Sequence, residues 1–255
     1  MNPIAFKLFG FPIRYYSLFI LLGVVISYFI IQKDLKKENI DKDTIFNMFF
    51  ITIIMGIIGA RLYYIVFNFS YYKENILEMI QIYNGGLAIH GGIIMGLITL
   101  YIYTKKHKLN FFKITDTIAP CLLLSQALGR WGNFFNSEAY GIKTTLSHLE
   151  NIHIPSFIIK GMYINGSYYT PTFFYESILC FLGFVIIVVY KKYRNNLKVS
   201  TSLYLIIYGL IRLFIERYRL DALMLFDIKV AQLVSIIMII TAIILLLTRK
   251  KTTNI

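Results

Sequence analysis

Seven long apolar segments divide the chain, and this pattern restricts the possible folds more than any other feature. A transmembrane helix needs about 20 consecutive, mostly apolar residues. The fourth and sixth segments are short for this, but flanking residues can extend both. The sequence therefore predicts an all-α integral membrane protein, a bundle of seven transmembrane helices that forms a single membrane domain over residues 1–255. The segments are Tyr15 to Ile31, Thr44 to Phe67, Gly85 to Tyr103, Ile114 to Leu128, Thr172 to Tyr190, Ser202 to Ile215 and Val230 to Thr248.

Composition agrees with a membrane protein and argues against a nucleic-acid binder. Hydrophobic residues make up 57% of the 255 and charged residues 15%, whereas soluble domains are about 25% charged. The formal net charge is +13, but the Lys residues fall in short tracts between apolar segments, which is typical of cytoplasmic loops. Cys121 and Cys180 lie in apolar segments without metal-ligand spacing, so we expect core residues and no metal site.

The loops predict an orientation in the membrane. The N-terminal region has neither the basic stretch nor the cleavage site of a signal peptide, so the first apolar segment should remain as a helix. Loops rich in Lys and Arg alternate with loops that contain few, and this alternation places the N-terminus outside and the C-terminus in the cytoplasm. The basic residues are Lys33, Lys36, Lys37 and Lys42, then Lys105, Lys106, Lys108 and Lys113, then Lys191, Lys192, Arg194 and Lys198, and finally Arg249, Lys250 and Lys251.

With that orientation, the unusual polar residues of six segments fall at outer ends. Charges at membrane depth are costly and usually face a bundle interior or a wet cavity, so this convergence predicts a site in the outer leaflet. Each residue alone has a structural alternative: Arg61 as a snorkelling anchor, His90 as a packing residue and the tyrosines as interfacial anchors. The residues are Tyr16, Arg61, Asn68, His90, Arg130, Asn133, Asn136, Glu138, Tyr175, Glu176, Arg212 and Glu216.

Spacing adds two local predictions. Tyr208, Arg212 and Glu216 are four residues apart and share one helix face; the Arg–Glu pair can either neutralise a buried charge or hold a guanidinium for a phosphate. Small residues at Gly92 and Gly96, and at Gly56 and Ala60, have the spacing of tightly packed membrane helices. Glycines beside His90 also leave room for a bulky ligand.

Six motifs occur in order along nearly the whole chain, and together they resemble the bacterial prolipoprotein diacylglyceryl transferases. The longest is GRWGNFFNSEAYG at Gly129 to Gly141. Departures from the family pattern are Ser17 for a frequent Gly, Phe173 for Gln, Arg217 for a smaller or apolar residue, and a missing Pro between Arg219 and Asp221. The other motifs are IRYYS at Ile13 to Ser17, GARLYYIVFN at Gly59 to Asn68, GGLAIHGG at Gly85 to Gly92, YYTPTFFYES at Tyr168 to Ser177 and RLFIERYRLD at Arg212 to Asp221.

The resemblance implies a reaction, partners and a location. Such enzymes move the diacylglyceryl group of phosphatidylglycerol onto the thiol of the lipobox cysteine in a prolipoprotein signal peptide, and glycerol phosphate leaves. The partners implied are therefore membrane lipid and a prolipoprotein, with no cofactor and no metal. The location implied is the bacterial cytoplasmic (inner) membrane. The fold implied has an outer-leaflet cavity and a small extracytoplasmic head, here residues 142–171.

The implied chemistry suggests roles for the polar residues. A thiol with a pKa of about 8.5 needs a base, and His90 is the histidine within an apolar segment, so we assign it that role. Arg130 and Arg212 are the expected partners of the phosphate leaving group, with Arg61 as a weaker third. The remaining residues should orient the arginines or hold lipid: Tyr16, Asn133, Asn136, Glu138, Gly141, Glu176, Tyr208 and Glu216.

Two other classes of membrane protein compete with this interpretation. A small-solute transporter should show polar residues through the full membrane depth and paired half-repeats, whereas the inner halves of these segments look nearly featureless and no repeat is visible. A phosphotransferase acting on lipid should carry an acidic metal-binding cluster, and the sequence has no compact Asp-rich motif. The family resemblance favours the transferase over both.

Overall fold

The structure is a computed structural model that describes residues 2–8, 10–82, 85–194, 199–220, 224–225 and 228–251. Lys198 and Asp221 lie outside the described residues, and so do the side chains of Arg194, Arg249, Lys250 and Lys251. The described helices are α1 (Tyr15–Lys36), α2 (Lys42–Phe67), α3 (Phe69–Tyr72), α4 (Ile89–Lys106), α5 (Phe111–Phe135), α6 (Leu146–Asn151), α7 (Ser156–Gly161), α8 (Thr172–Arg194), α9 (Ser200–Ile215) and α10 (Val230–Lys251), with short 3-10 helices at Ile76–Ile80 and Glu216–Tyr218.

Each of the seven predicted segments lies on one of the longer helices. Among the described residues, four helices are both long and apolar enough to cross a membrane: α1, α2, α8 and α10. Helix α9 has 16 residues, α4 ends in two lysines, and α5 carries charges along its length. The structure thus shows a helical, multi-pass membrane protein, and the predicted count of seven is larger because it includes these three shorter or more polar helices.

Three small antiparallel sheets depart from the all-α prediction. One precedes α1 and two lie in connections between helices, where backbone N–H and C=O groups need partners outside a helix. The protein is nevertheless 75% helical, so the class is unchanged. The strands are β1 (Ile4–Leu8) paired with β2 (Phe11–Arg14), β3 (Lys143–Thr144) and β4 (Tyr163–Ile164) on either side of β5 (Ser167–Tyr169), and β6 (Met224–Leu225) paired with β7 (Ile228–Lys229).

The chain forms two compact units, residues 1–31 with 115–255, and residues 32–114. In the first unit, α5 contacts both α1 and α8. The Ser27 hydroxyl lies 3.0 Å from that of Ser125, where Gly23 lets the two helices approach. Ser177 of α8 donates a hydrogen bond of 2.9 Å to the carbonyl of Ala127. The core between α5, α8 and α9 consists of Leu123, Ala127, Cys180, Ile187, Ile211 and Ile215.

Polar contacts join both ends of α5 to neighbouring helices of the first unit. Arg130 near the end of α5 contacts Glu176 in the second turn of α8, so these two helices run in opposite directions. At the other end of α5, the buried Asp116 accepts hydrogen bonds of 2.7 and 2.5 Å from the amide and hydroxyl of Thr201 at the start of α9. This end of α5 is therefore not featureless, because its buried carboxylate caps the start of α9.

The segment between α5 and α8 forms a compact subfold of α6, α7 and the sheet of β3, β4 and β5. Its fully buried residues include Leu149, Ile158 and Met162. They pack on Phe134 from the end of α5 and Phe173 from the start of α8, whose rings stack at 4.7 Å. This compact subfold lies within residues 142–171, and burial in the aromatic cluster accommodates Phe at position 173.

The second unit is built on the antiparallel pair α2 and α4. A Cβ on Gly59 would lie 2.7 Å from the carbonyl oxygen of Gly91, and one on Gly91 would lie 2.3 Å from that of Gly59. Gly56 and Gly92 are in looser contact: a Cβ on Gly56 would lie 3.5 Å from the carbonyl oxygen of Gly92, and one on Gly92 would lie 3.3 Å from that of Gly56. The predicted pairing of small residues is thus displaced toward Gly59 and Gly91, because the rotation of each helix decides which glycine faces its partner.

Asp41 starts α2 as its N-cap. Its carboxylate accepts a hydrogen bond of 2.8 Å from the amide of Thr44, which satisfies one of the free N–H groups of the first turn. Hydrogen bonds with Thr44 lower the pKa of the Asp41 carboxyl.

Candidate active site

A buried carboxylate binds two arginines at one end of the first unit. Glu176 is 2% exposed; its Oε1 accepts a hydrogen bond of 2.7 Å from Nη2 of Arg130, and its Oε2 accepts one of 3.2 Å from Nη1 of Arg212. The three residues come from α8, α5 and α9. Both guanidinium groups are largely buried, with 16% and 12% of the side chain exposed. Glu176 therefore fixes the distance between two cations that would otherwise repel each other.

The predicted ion pair on α9 is present. Arg212 Nη2 donates a hydrogen bond of 2.5 Å to Oε2 of Glu216, which is 3% exposed. Arg219 follows one turn later, and its Nη1 lies 3.9 Å from the same oxygen. The buried part of the cluster thus joins three guanidinium groups to two carboxylates.

Arg130 has a second partner on its own helix. Its Nη1 donates a hydrogen bond of 3.2 Å to Oδ1 of Asn133, and Tyr208 lies near the guanidinium. Together with Glu176, these contacts use at most three of the five guanidinium N–H groups. Arg130 therefore retains donors for an incoming anion.

The turn after α5 carries the other predicted polar residues. Asn133 and Asn136 each donate a hydrogen bond of 3.4 Å to the Glu138 carboxylate, which is exposed. The turn is held in an uncommon conformation, with positive φ angles at Ser137 and Ala139. The hydroxyl of Thr172 donates a hydrogen bond of 2.5 Å to the Ala139 carbonyl, which secures the turn on the start of α8.

Two close backbone contacts place Tyr16 and Gly141 at the same end of the unit. A Cβ on Gly132 would lie 2.7 Å from the ring of Tyr16, so only glycine lets this ring lie against α5. Gly141 donates its N–H to the Thr170 carbonyl at 2.9 Å, and a Cβ there would lie 2.8 Å from Thr172. Gly141 therefore acts through backbone packing, whereas the Tyr16 side chain is 36% exposed and accessible to a ligand.

Arg61 belongs to the second unit and binds backbone rather than carboxylates. Its guanidinium donates hydrogen bonds to four carbonyls, those of Glu78 at 2.5 Å, Met79 at 2.9 Å, Gly85 at 2.8 Å and Gly86 at 3.0 Å. It is 6% exposed and lies over the ring of Tyr72 at 5.2 Å. A buried residue with this set of partners is not the snorkelling anchor considered above; it clamps the connection between α2 and α4.

A cavity of about 510 Å³ lies beside this clamp. Within it, the Tyr71 hydroxyl donates a hydrogen bond of 2.7 Å to Oε2 of Glu78, and this bond raises the pKa of Tyr71 above its ordinary value. The cavity is lined by Arg61, Tyr64, Asn68, Tyr71, Tyr72, Glu78, Gly85 and Gly86.

His90 lies at the start of α4, also in the second unit. Its ring is exposed, and its centroid lies 6.1 Å from that of Tyr63. The amide of Ala88, two residues earlier, donates a hydrogen bond of 3.0 Å to the carbonyl of Ala60 beside Arg61. The structure thus brings Tyr16, Arg130, Asn133, Glu176, Tyr208, Arg212 and Glu216 together in one unit, and relates His90 to the Arg61 clamp in the other.

One contact of the arginine cluster has no counterpart in the sequence interpretation. The ammonium group of Lys229 donates hydrogen bonds to the carbonyls of Glu216 at 2.6 Å, Arg219 at 3.1 Å and Arg217 at 3.3 Å. A single lysine before the last apolar segment resembles an ordinary interfacial residue, so local sequence offers no signal for this contact.

The fold and the arginine cluster define a helical membrane protein with a buried site whose paired guanidinium groups suit an anionic group. A family model described as prolipoprotein diacylglyceryl transferase matches residues 3–248, and the chain belongs to that family. The chain is 46% identical to the phosphatidylglycerol--prolipoprotein diacylglyceryl transferase of Staphylococcus xylosus over 98% of its own length and 90% of the relative's. Proteins of that name from Staphylococcus saprophyticus and Staphylococcus aureus are 45% identical over the same shares.

Proposed function

We propose that this protein is a phosphatidylglycerol:prolipoprotein diacylglyceryl transferase. It moves the diacylglyceryl group of phosphatidylglycerol to the lipobox cysteine thiol in a prolipoprotein signal peptide. The family membership and the names of its relatives support this proposal. The single observation that carries the mechanism is the bridge from Glu176 to both Arg130 and Arg212, because it holds two guanidinium forks side by side. Two adjacent guanidinium groups can each donate two hydrogen bonds to a phosphate, whereas a single ammonium acts as a point charge.

In the proposed reaction the cysteine sulfur attacks the diacylglycerol carbon that carries the phosphate oxygen. A carbon–sulfur bond forms, the carbon–oxygen bond breaks, and its electron pair leaves with glycerol phosphate. His90 takes the thiol proton as general base. Arg130 and Arg212 stabilise the charge that grows on the departing phosphate. Asn133, Glu176, Tyr208 and Glu216 orient these two arginines through the contacts described above.

The other predicted residues receive narrower roles in this proposal. Tyr16, Asn136 and Glu138 are exposed enough to hold lipid or peptide, and Gly141 shapes the backbone beside them. Arg61 positions the connection that leads to His90 rather than binding phosphate, because four of its five N–H groups already bind carbonyls.

We further propose that all seven long helices cross the bacterial cytoplasmic membrane as one functional domain. The N-terminus then lies outside, the C-terminus in the cytoplasm, and residues 142–171 form an extracytoplasmic head. The common location of Tyr16, Arg130, Glu176 and Arg212 at one end of their helices supports this arrangement. Reactive cysteines introduced at Lys160 and at Lys106 test it: a membrane-impermeant thiol reagent added to intact cells should label only the first.

Transfer itself is tested with purified protein, phosphatidylglycerol and a lipobox peptide in detergent, by following the peptide mass. We expect a mass gain of one diacylglyceryl group, lost in Arg130→Ala and retained in Arg217→Ala, an exposed arginine outside the cluster. Absence of any gain from folded wild-type protein contradicts the proposal. Gain with another phospholipid but not with phosphatidylglycerol shows a different donor.

A further inference from the structure

The end of α9 is held by a lysine from the next element. Helix α9 ends at Ile215, and a 3-10 turn over Glu216–Tyr218 follows. Carbonyls at a helix C-terminus lack partners inside the helix and carry partial negative charge. The half-buried ammonium of Lys229 donates to three carbonyls of this turn, at 2.6 Å for Glu216, 3.3 Å for Arg217 and 3.1 Å for Arg219. All three ammonium donors are thereby used.

Two of the three carbonyls, those of Glu216 and Arg219, belong to residues of the arginine cluster. The backbone of Glu216 carries the carboxylate bound to Arg212, and that of Arg219 carries the guanidinium 3.9 Å from the same carboxylate. The Glu216 side chain is anchored at its Cα. A shift of the turn that moves this Cα therefore also moves the carboxylate that binds Arg212. A group that holds the turn in place therefore also holds the orientation of the Arg212 guanidinium.

A hairpin delivers the ammonium to this turn. Lys229 is the last residue of β7 and pairs with Met224 of β6. The antiparallel pairing of β6 with β7 thus precedes α10 and ends at the lysine that binds the turn after α9. Because Lys229 reaches back over 10 to 13 residues, its contact is tertiary rather than an ordinary cap within one helix.

We propose that Lys229 is a positioning residue for transfer, which acts by holding the Glu216 turn so that Glu216 orients Arg212. This inference rests on the proposed function. Lys229 does not touch the phosphate in this scheme; its ammonium is occupied by carbonyls. Its loss should therefore affect orientation of the guanidinium in the transition state more than binding of phosphatidylglycerol in the ground state.

The first test compares Lys229→Met with Arg217→Met in the transfer assay. Each removes one positive charge, from the lysine that binds the turn or from an arginine within it, but Arg217 is exposed and its side chain lies over Phe214. We expect Lys229→Met to lower kcat about 10- to 100-fold with KM for phosphatidylglycerol changed less than about 3-fold, and Arg217→Met to leave both near wild type. Thermal unfolding of each variant is followed in parallel, and rates are taken well below the lowest transition.

Two further variants separate positioning from simple stabilisation. If Lys229 acts through Glu216, the double variant Lys229→Met/Glu216→Gln should be no slower than Glu216→Gln alone; independent effects would multiply. Lys229→Cys treated with 2-bromoethylamine regains an ammonium at the same distance from the backbone and should recover most of kcat. The reagent is selective because the two native cysteines, Cys121 and Cys180, are both buried.

The outcomes are distinct. Wild-type protein without transfer activity overturns the proposed function, and this inference with it. Active wild-type protein together with a Lys229→Met variant of unchanged kcat overturns this inference alone. A Lys229→Met loss that multiplies with that of Glu216→Gln, or that disappears at low temperature, assigns Lys229 to general stability and also overturns it.

Discussion

Glu176 Oε1 lies 2.7 Å from Nη2 of Arg130, and this contact joins two helices at the centre of the site. The carboxylate is buried and also binds Arg212. Glu176→Gln keeps the shape but removes the charge that separates two guanidinium groups. Breaking a buried ion pair by removal of one partner costs about 3–5 kcal/mol, so we expect a clear fall in the unfolding temperature and loss of transfer.

Glu150→Gln is the matched control for that substitution. Glu150 lies exposed on α6, and it is not part of the arginine cluster among the described residues. Its variant should unfold at the wild-type temperature and transfer at the wild-type rate. Equal unfolding temperatures and transfer rates in the two variants would show that Glu176 contributes no more to stability or transfer than a surface glutamate.

Arg130→Lys should lose most of its transfer activity although the charge is kept. Arg130 contacts Glu176 through one terminal nitrogen and Asn133 through the other, and a lysine offers a single point charge on a flexible stem. Loss of one preorganised donor to a developing anion typically costs about 100-fold in rate. The transfer rate of Arg130→Lys relative to Arg217→Lys measures this, and similar rates would mean that charge alone suffices.

His90→Gln should abolish transfer without unfolding the protein. The residue is exposed and its ring lies beside Tyr63, so stability should hold. Removal of a general base typically costs about 100- to 10,000-fold. The peptide mass assay and the unfolding temperature are compared with those of His148→Gln, a histidine on α6. Full activity of His90→Gln removes this residue from the mechanism.

The helices and much of the cluster could be predicted from the sequence, because both follow from periodicity. Runs of apolar residues gave the positions of the long helices, and four-residue spacing gave the Arg212–Glu216 pair. The bridge through Glu176 could be predicted only as a general orienting role, since it needs three helices in register.

The clamps on backbone carbonyls could not be predicted. Arg61 and Lys229 bind carbonyl oxygens, which every residue possesses, so their partners leave no trace in the side-chain pattern. The contact of Gly59 with Gly91 was missed for a different reason. Spacing identifies a ridge of small residues, but the rotation of two helices against each other selects the glycine at the crossing.

Gly91→Ala should destabilise the second unit strongly. A Cβ there would lie 2.3 Å from both the Gly59 carbonyl oxygen and the Cβ of Tyr63, so α2 and α4 must separate. Overpacking of this kind typically costs about 1–3 kcal/mol. Gly96→Ala on the same helix is the control, because its Cβ would meet only Thr52 at 3.9 Å. Thermal unfolding should show a large fall for Gly91→Ala and little change for Gly96→Ala; equal shifts would contradict the tight crossing.

Gly86→Ala should disrupt the Arg61 clamp. Gly86 has a φ of +73°, and its added Cβ would lie 2.4 Å from Nη1 of Arg61 and 2.9 Å from the ring of Tyr64. The guanidinium must then leave the carbonyls that it binds, and a buried donor loses its partners. Since the amide of Ala88 links the same connection to α2, we expect both a lower unfolding temperature and faster proteolysis of the connection between α2 and α4.

Gly85→Ala separates that effect from backbone strain. Gly85 also has a positive φ of +90°, but a Cβ there would have no described atom within 4 Å. Its variant should carry only the cost of a left-handed alanine, about 1–2 kcal/mol, which lowers the unfolding temperature by a few degrees. The additional loss in Gly86→Ala then measures displacement of Arg61. Because Arg61 positions the connection to His90 in the proposed mechanism, Gly86→Ala should also lose transfer activity, whereas Gly85→Ala should retain it.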